Sequence, residues 1–329
     1  MAHIVSAGRL RKSPFYTSTI EEGAETLLTY NNMLVPRGYG DREAEYWRLI
    51  NGVSMWDVAV QRQVQLKGPD AAKLAQILCV RDLSSQVIGQ GKYVAICDHN
   101  GVLINDPIAM KVADDCYWLS IGNSDIWFWA RCVAGERGLD VEVSEPDVSP
   151  LAVQGPKAED VVASLFGDWV RDLRYFWFKD TEIEGIPITV MRAGWSKQGG
   201  FELFLRDGTK GDGTNPFEVR MGKFIDLDVS DDVIGVKALR KIKQGGVKRH
   251  QLGIVLEGGE ENEDQSIWLD IVKDGAVIGH MTHKAWSYRM QRMIGYALVS
   301  VEAQPGDRVE VMKDAGPVTG QLSPIPFAV

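Results

Sequence analysis

The sequence predicts an α+β protein: two related α+β halves followed by a small all-β domain. Two segments suggest the halves. Val64-Gln65-Leu66-Lys67-Gly68-Pro69-Asp70-Ala71-Ala72-Lys73-Leu74 and Leu151-Ala152-Val153-Gln154-Gly155-Pro156-Lys157-Ala158-Glu159-Asp160-Val161 each run from strand through a Gly-Pro break into a helix with proline at its first turn. Such turns also arise without duplication, so the pair suggests relatedness without requiring it. From about His250 the pattern changes to short strands with turns at Lys273-Asp274-Gly275, Pro305-Gly306-Asp307 and Asp314-Ala315-Gly316-Pro317, as in a small β-barrel or jelly roll. Size is the third observation: 329 residues at 45% hydrophobic content supply core for two or three domains.

Local chemistry accounts for the elements between. Tyr93 to Cys97 and Leu103 to Met110 are expected to pair across Asp98-His99-Asn100-Gly101, because Asn-Gly adopts the left-handed backbone that a tight hairpin needs. Ser124-Asp125 is expected to cap a helix running to about Gly138, whose Trp127, Phe128 and Trp129 serve packing rather than a cofactor. In Arg192-Ala193-Gly194-Trp195-Ser196-Lys197-Gln198-Gly199-Gly200-Phe201-Glu202-Leu203-Phe204-Leu205 the glycines permit a sharp bend. Phe201, Leu203 and Leu205 then alternate on one strand face, with Glu202 and Phe204 on the other. For such a strand taken alone, a solvent-facing Glu202 is the plain expectation. The sharper one is a carboxylate that accepts two N–H bonds from a flat heterocycle. Gly258-Gly259-Glu260-Glu261-Asn262-Glu263-Asp264 is expected to form an exposed loop of the last domain.

Charge and motif content exclude several classes. Thirty-six Lys plus Arg against 45 Asp plus Glu give a net charge of −9, and no basic cluster is dense enough to neutralise several phosphates, so nucleic acid is not an expected partner. No stretch reaches the roughly 18 uninterrupted apolar residues that span a bilayer, and the cytoplasm is the expected location. Cys79, Cys97, Cys116 and Cys132 are scattered in apolar contexts expected of packed thiols. His280-Met281-Thr282-His283 lacks a third ligand in sequence, so no metal is expected. Gly89-Gln90-Gly91 lacks the third glycine of a dinucleotide fingerprint, which argues against a fused flavin or nicotinamide oxidoreductase.

The 192–205 run, together with Leu151-Ala152-Val153-Gln154-Gly155-Pro156 and Asn100-Gly101-Val102-Leu103-Ile104-Asn105-Asp106, resembles the folate-dependent aminomethyltransferase (glycine cleavage T-protein) superfamily, most nearly its dimethylsulfoniopropionate demethylase branch. The resemblance runs from about Arg9 to the C-terminus. It implies three domains around a central folate channel: 1–54 with 145–217 as a discontinuous first α+β domain, 55–144 with 218–249 as the second, and 250–329 as the barrel. The superfamily carries a helical segment with Arg and Glu after the Gly-Phe-Glu strand. Here Arg206 to Glu218 joins the flanking motifs almost directly through Gly208, Gly211 and Gly213, so no residue of that segment carries over. The joint reads as a deletion, as residues missing from the sequence, or as a flexible glycine-rich loop.

The resemblance assigns Glu202 to the pterin of tetrahydrofolate, the expected methyl acceptor, and places Tyr93 and Ser120 beside it; Tyr93 equally suits a cross-strand packing role. Asn105, followed by Asp106, stands where the T-protein has the first Asp of an Asp-Asp turn that handles charge on the transferring group. That exchange suits a cationic donor. A sulfonium leaves as a neutral sulfide without acid help, and a carboxylate touching it stabilises the ground state more than the transition state. The plain alternative is that Asn105-Asp106 simply makes a turn. Trp195 and Trp177 are candidate π faces for an onium centre, against the ordinary role of such aromatics as core, and Tyr30-Asn31-Asn32-Met33 falls at the family's N-terminal substrate loop. The expected activity is therefore methyl transfer from a small onium carboxylate, dimethylsulfoniopropionate being the best guess, to N5 of tetrahydrofolate by a monomer or homodimer. Two alternatives stand beside it. One is glycine-cleavage aminomethyl transfer, and the other is a folate-binding interaction protein without catalysis, whose Lys-Gly-Cys-Tyr signature is missing here.

Overall fold

The computed structural model describes residues 10–206, 216–231, 233, 236–260, 269–313 and 316–327. Most of the glycine-rich joint after Arg206, the end of the acidic 258–264 loop and the Asp314-Ala315 turn lie outside these residues. The chain forms two compact units, residues 12–210 and residues 1–11 with 211–329.

The first unit stacks two five-stranded antiparallel sheets between helices. One sheet runs Glu142–Ser144, Gln63–Lys67, Cys116–Ser120, Ile108–Ala113, Gly91–Tyr93; the other runs Phe178–Ile183, Ile186–Met191, Gly200–Arg206, Val148–Gln154, Ser54–Asp57. The two strand, Gly-Pro, helix segments occupy matching places. Gln63–Lys67 leads into helix Ala71–Leu78, and Val148–Gln154 leads into helix Ala158–Phe166. On the first sheet Val64, Leu66, Tyr117 and Leu119 pack against Leu74, Leu78, Ile126 and Ala130 of helices Ala71–Leu78 and Ile126–Glu136. On the second, Val153, Val190, Phe201 and Leu203 pack against Ala158, Val162 and Ala163. The alternate residues of both sheets face each other: Met110, Cys116 and Trp118 from one meet Phe178, Met191 and Phe204 from the other. Burial of these large side chains at about 1.5–3 kcal/mol apiece is what clamps the sheets together.

Local structure departs from the sequence expectation in two places that matter. The hairpin around Asn100-Gly101 is broken into two short pairs, Ile96–Cys97 with Leu103–Asn105 and Gly91–Tyr93 with Ile108–Ala113. Pro107 has no N–H to continue the ladder, and its carbonyl instead accepts from the Val94 amide at 2.9 Å. Helix Ile126–Glu136 begins after Asp125 without a side-chain cap. The Ser124 hydroxyl is engaged elsewhere, accepting from Asn105 Nδ2 at 2.6 Å. Of the tryptophan-rich stretch, Trp127 and Trp129 pack on the core while Phe128 is exposed.

The second unit holds a closed antiparallel barrel, in the order Arg249–Leu256, Arg292–Ser300, Ala276–Ser287, Leu269–Lys273, Arg308–Val311, Val318–Ser323, the last pairing with the first. Ile254, Ile271, Met293, Ala297, Val299 and Val311 fill it. Asp274-Gly275 makes the tight turn its sequence announces. All four cysteines are free thiols; burial pushes Cys79 up to about 12, as for an inert packed thiol, whereas Cys132 is exposed, contrary to the packed role expected of it. Among the described residues, no helix is long and apolar enough to cross a membrane.

Candidate active site

The layer between the two sheets of the first unit carries polar groups at one end. In the second sheet Glu202 sits in register with Ala152 and Met191, on the face that meets the other sheet. It is 6% exposed, which overturns the solvent-facing alternative. Gly200 makes this placement possible: its φ is +146°, and a Cβ there would lie 2.5 Å from the Val153 carbonyl oxygen. Glu202 Oε2 has no hydrogen-bond partner, and burial raises its carboxyl from 4.5 to about 7. A buried acceptor left unpaired costs about 1–3 kcal/mol, so the fold keeps a group it does not itself use.

In the first sheet, Gln63, Ser120, Ile108 and Tyr93 form one cross-strand row. The row lies on the same face as Trp118 and Met110, hence toward the sheet that carries Glu202. Tyr93 and Ser120, singled out in sequence, are thus brought to the layer of Glu202. The Tyr93 hydroxyl donates to Asp106 Oδ2, and that bond raises its pKa above the ordinary tyrosine value.

Gly122, just past strand Cys116–Ser120, gathers the remaining polar groups. A Cβ on Gly122 would lie 3.2 Å from Asp106 Oδ1, 3.5 Å from Asn105 Nδ2 and 3.5 Å from the Tyr30 hydroxyl, so the three side chains converge on this glycine. Asn105 is buried with both ends of its amide engaged: Nδ2 donates to Ser124, and Oδ1 accepts from the Gly122 amide at 2.9 Å. It orients the 122–124 turn. Tyr30 ends strand Thr26–Tyr30; its pKa is raised mainly by burial, and the charge of Asp106 adds to the rise. Asn31 ties this hairpin to the site by donating from Nδ2 to the carbonyls of Val60 and Gly122, both at 2.9 Å. Sequence reasoning singled out neither Gly122 nor Gln63, since neither belongs to a motif; convergence of three distant segments is the only signal.

Trp195 and Trp177 stand apart from this cluster. Trp195 is 82% exposed on the 192–199 loop, which is braced by Ser196 N–H donating to Gln154 Oε1 at 3.0 Å and by the Tyr175 hydroxyl donating to the Gly194 carbonyl at 3.1 Å. Trp177 bridges to Gln90 and has the Arg174 guanidinium 5.9 Å from its ring centroid. Among the described residues no group of three or more His, Cys, Asp or Glu side chains is placed to hold a metal; His280 pairs with Asp270 at 2.9 Å.

The Glu202 carboxyl makes stability depend on pH with a definite sign. In the unfolded chain it ionises near 4.5 and in the fold near 7, so the ligand-free fold loses stability as pH rises between them, by on the order of 3 kcal/mol in all. The melting temperature of Glu202→Gln relative to the parent is therefore expected to rise from pH 4.5 to pH 7 and to level off above. A difference independent of pH across that range would show that Glu202 titrates normally.

Residues 15–215 match the GCVT N-terminal domain, and residues 249–328 match the glycine cleavage T-protein C-terminal barrel domain. The chain is 35% identical to the dimethylsulfoniopropionate demethylase DmdA of Ruegeria pomeroyi, over 85% of this chain and 87% of that protein. It is 26% identical to an aminomethyltransferase of Caldanaerobacter subterraneus subsp. tengcongensis, over 93% of each. Among solved structures it is similar to the glycine cleavage system aminomethyltransferase T from Bartonella henselae, with a TM-score of 0.54 and 17% identity over 97% of this chain and 98% of that one, a likeness of fold.

Proposed function

The chain belongs to the glycine cleavage T-protein family, and on that footing we propose that it moves a methyl group from a small onium carboxylate, dimethylsulfoniopropionate first among them, to N5 of tetrahydrofolate. As a member of that family it is a tetrahydrofolate-dependent methyltransferase; the donor is what the proposal adds. The observation that carries the folate site is the buried, unpartnered Oε2 of Glu202, an acceptor suited to the N–H edge of a pterin. Asn105 carries the choice of donor. An amide, held at its two ends by Ser124 and Gly122, supplies neither a charge nor a transferable proton.

Reduced folate supplies the nucleophilic nitrogen. The protein's part is alignment and exclusion of water, the large terms in an in-line displacement. Glu202 holds the ring, while Asp106, tied to the Tyr93 hydroxyl and close to Tyr30, gives the donor side an anionic, aromatic lining. A sulfonium needs nothing more: the C–S pair returns to sulfur, which departs as the neutral thioether of 3-(methylthio)propionate, and the N5 proton passes to solvent, so no acid and no covalent enzyme intermediate are required.

The test is incubation with tetrahydrofolate and a panel of sulfonium, quaternary and tertiary amine donors, with 5-methyltetrahydrofolate read by mass spectrometry. Donors with a permanent positive charge are expected to turn over while neutral isosteres do not, since an aromatic contact worth about 0.5–2 kcal/mol to a cation gives an uncharged sulfide or ether little. Equal turnover of neutral methyl ethers would remove the onium assignment.

A further inference from the structure

Gln63 is 1% exposed, and its amide orientation is set by its neighbours. Nε2 donates to the Gln61 carbonyl at 2.8 Å and to the Ser120 hydroxyl at 3.1 Å. A backbone carbonyl only accepts, so the nitrogen must face Gln61, and both amide protons are consumed. Oε1 is left buried without a partner, as Glu202 Oε2 is. The two unpaired acceptors lie on opposing sheets of one layer. Gln63 shares its strand face with Gln65, which accepts from Trp118 Nε1 at 3.0 Å, and Trp118 packs against the sheet that carries Glu202. Beside Oε1, the Ser120 oxygen already accepts from Gln63, which leaves its own proton to donate. Gln63 and Ser120 therefore present a fixed acceptor next to a donor.

We propose that Gln63 is a folate-recognition residue, its Oε1 accepting from N8–H of the reduced pterin while the Ser120 hydroxyl donates to the adjacent N1. This rests on the assignment of Glu202 to the ring. Glu202 takes the neighbouring donors, the 2-amino group and N3–H. The ring is then gripped along its pyrimidine side and along N8, and N5 stays open to the methyl donor. An acceptor locked in this way also selects oxidation state, because N8 carries a hydrogen in the dihydro and tetrahydro rings and none in fully oxidised folate. Two buried acceptors left unpaired by the protein find their donors on one ligand.

The experiment is calorimetric binding of tetrahydrofolate and of 8-deazatetrahydrofolate, which has a methylene in place of N8–H, to the parent, Gln63→Leu and Gln63→Glu. The parent is expected to prefer tetrahydrofolate by roughly five- to tenfold, the worth of one uncharged hydrogen bond. Gln63→Leu should abolish that preference, and Gln63→Glu, whose protonated carboxyl donates to the Gln61 carbonyl and keeps an acceptor oxygen, should retain it. Equal weakening of both ligands by Gln63→Leu, or a preference that survives it, overturns the assignment. If Gln63→Leu does not fold, the parent decides: no preference for N8–H overturns the inference, and a preference retained by Gln63→Glu supports it. A parent that binds tetrahydrofolate through Glu202 without regard to N8 defeats only the role of Gln63. A parent with no affinity for tetrahydrofolate defeats the folate site as well.

Discussion

Glu202→Gln is expected to weaken tetrahydrofolate binding by about 10- to 100-fold, the equivalent of the 1.5–3 kcal/mol that a charge-assisted hydrogen bond contributes. The carboxylate accepts with both oxygens, whereas the amide turns one of them into a donor that faces the ligand's own N–H. Binding of N–H donors favours the ionised form of a carboxyl that burial holds near 7. Association is therefore expected to release a proton near pH 6 and to tighten as pH rises through 7. Calorimetry in buffers of different ionisation enthalpy reads both. Unchanged affinity in folded Glu202→Gln would take the residue out of the site, and donor affinity should change less than folate affinity in the same variant.

Asn105→Asp is expected to slow demethylation, by on the order of tenfold in kcat, and to produce no ammonia from an aminomethyl donor. The pocket should accept the new side chain, because one carboxylate oxygen can take the Gly122 amide and the other the Ser124 hydroxyl, which rotates to donate. Charge is the change that matters. A second carboxylate beside Asp106 attracts the reactant cation and loses that partner as charge moves toward the folate nitrogen, so the ground state gains more than the transition state. If the chain were instead a divergent aminomethyltransferase, the same substitution would raise folate-dependent ammonia release. Gain of ammonia release, with no methyl transfer from any onium donor in the parent, favours that reading.

Much of this architecture is written in local pattern. The alternation of Phe201, Leu203 and Leu205 against Glu202 and Phe204 is period-two chemistry, and both faces are buried as that pattern allows. The Gly-Pro segments precede helices on both sheets, and the Asp274-Gly275 turn links adjacent strands of a closed barrel, for the same reason: backbone preferences act over a few residues. The choice between barrel and jelly roll was not legible, because it depends on the pairing of Arg249–Leu256 with Val318–Ser323, elements more than sixty positions apart.

What the sequence by itself determined is the order of elements, the face on which Glu202 lies and the substitution of an amide at position 105. Each depends on residue type and near neighbours alone. Only the tertiary structure decided that Glu202 is buried rather than solvent-facing, that the hairpin around Asn100-Gly101 splits into two short pairs, and that Ser124 serves Asn105 instead of capping its helix. It also brought Tyr30, Asn105 and Asp106 together at Gly122, and left Gln63 Oε1 and Glu202 Oε2 as unpaired acceptors in one layer. These outcomes turn on which distant segments meet and on whether a polar atom, once removed from water, finds a partner there, a balance of desolvation and pairing that no single segment contains.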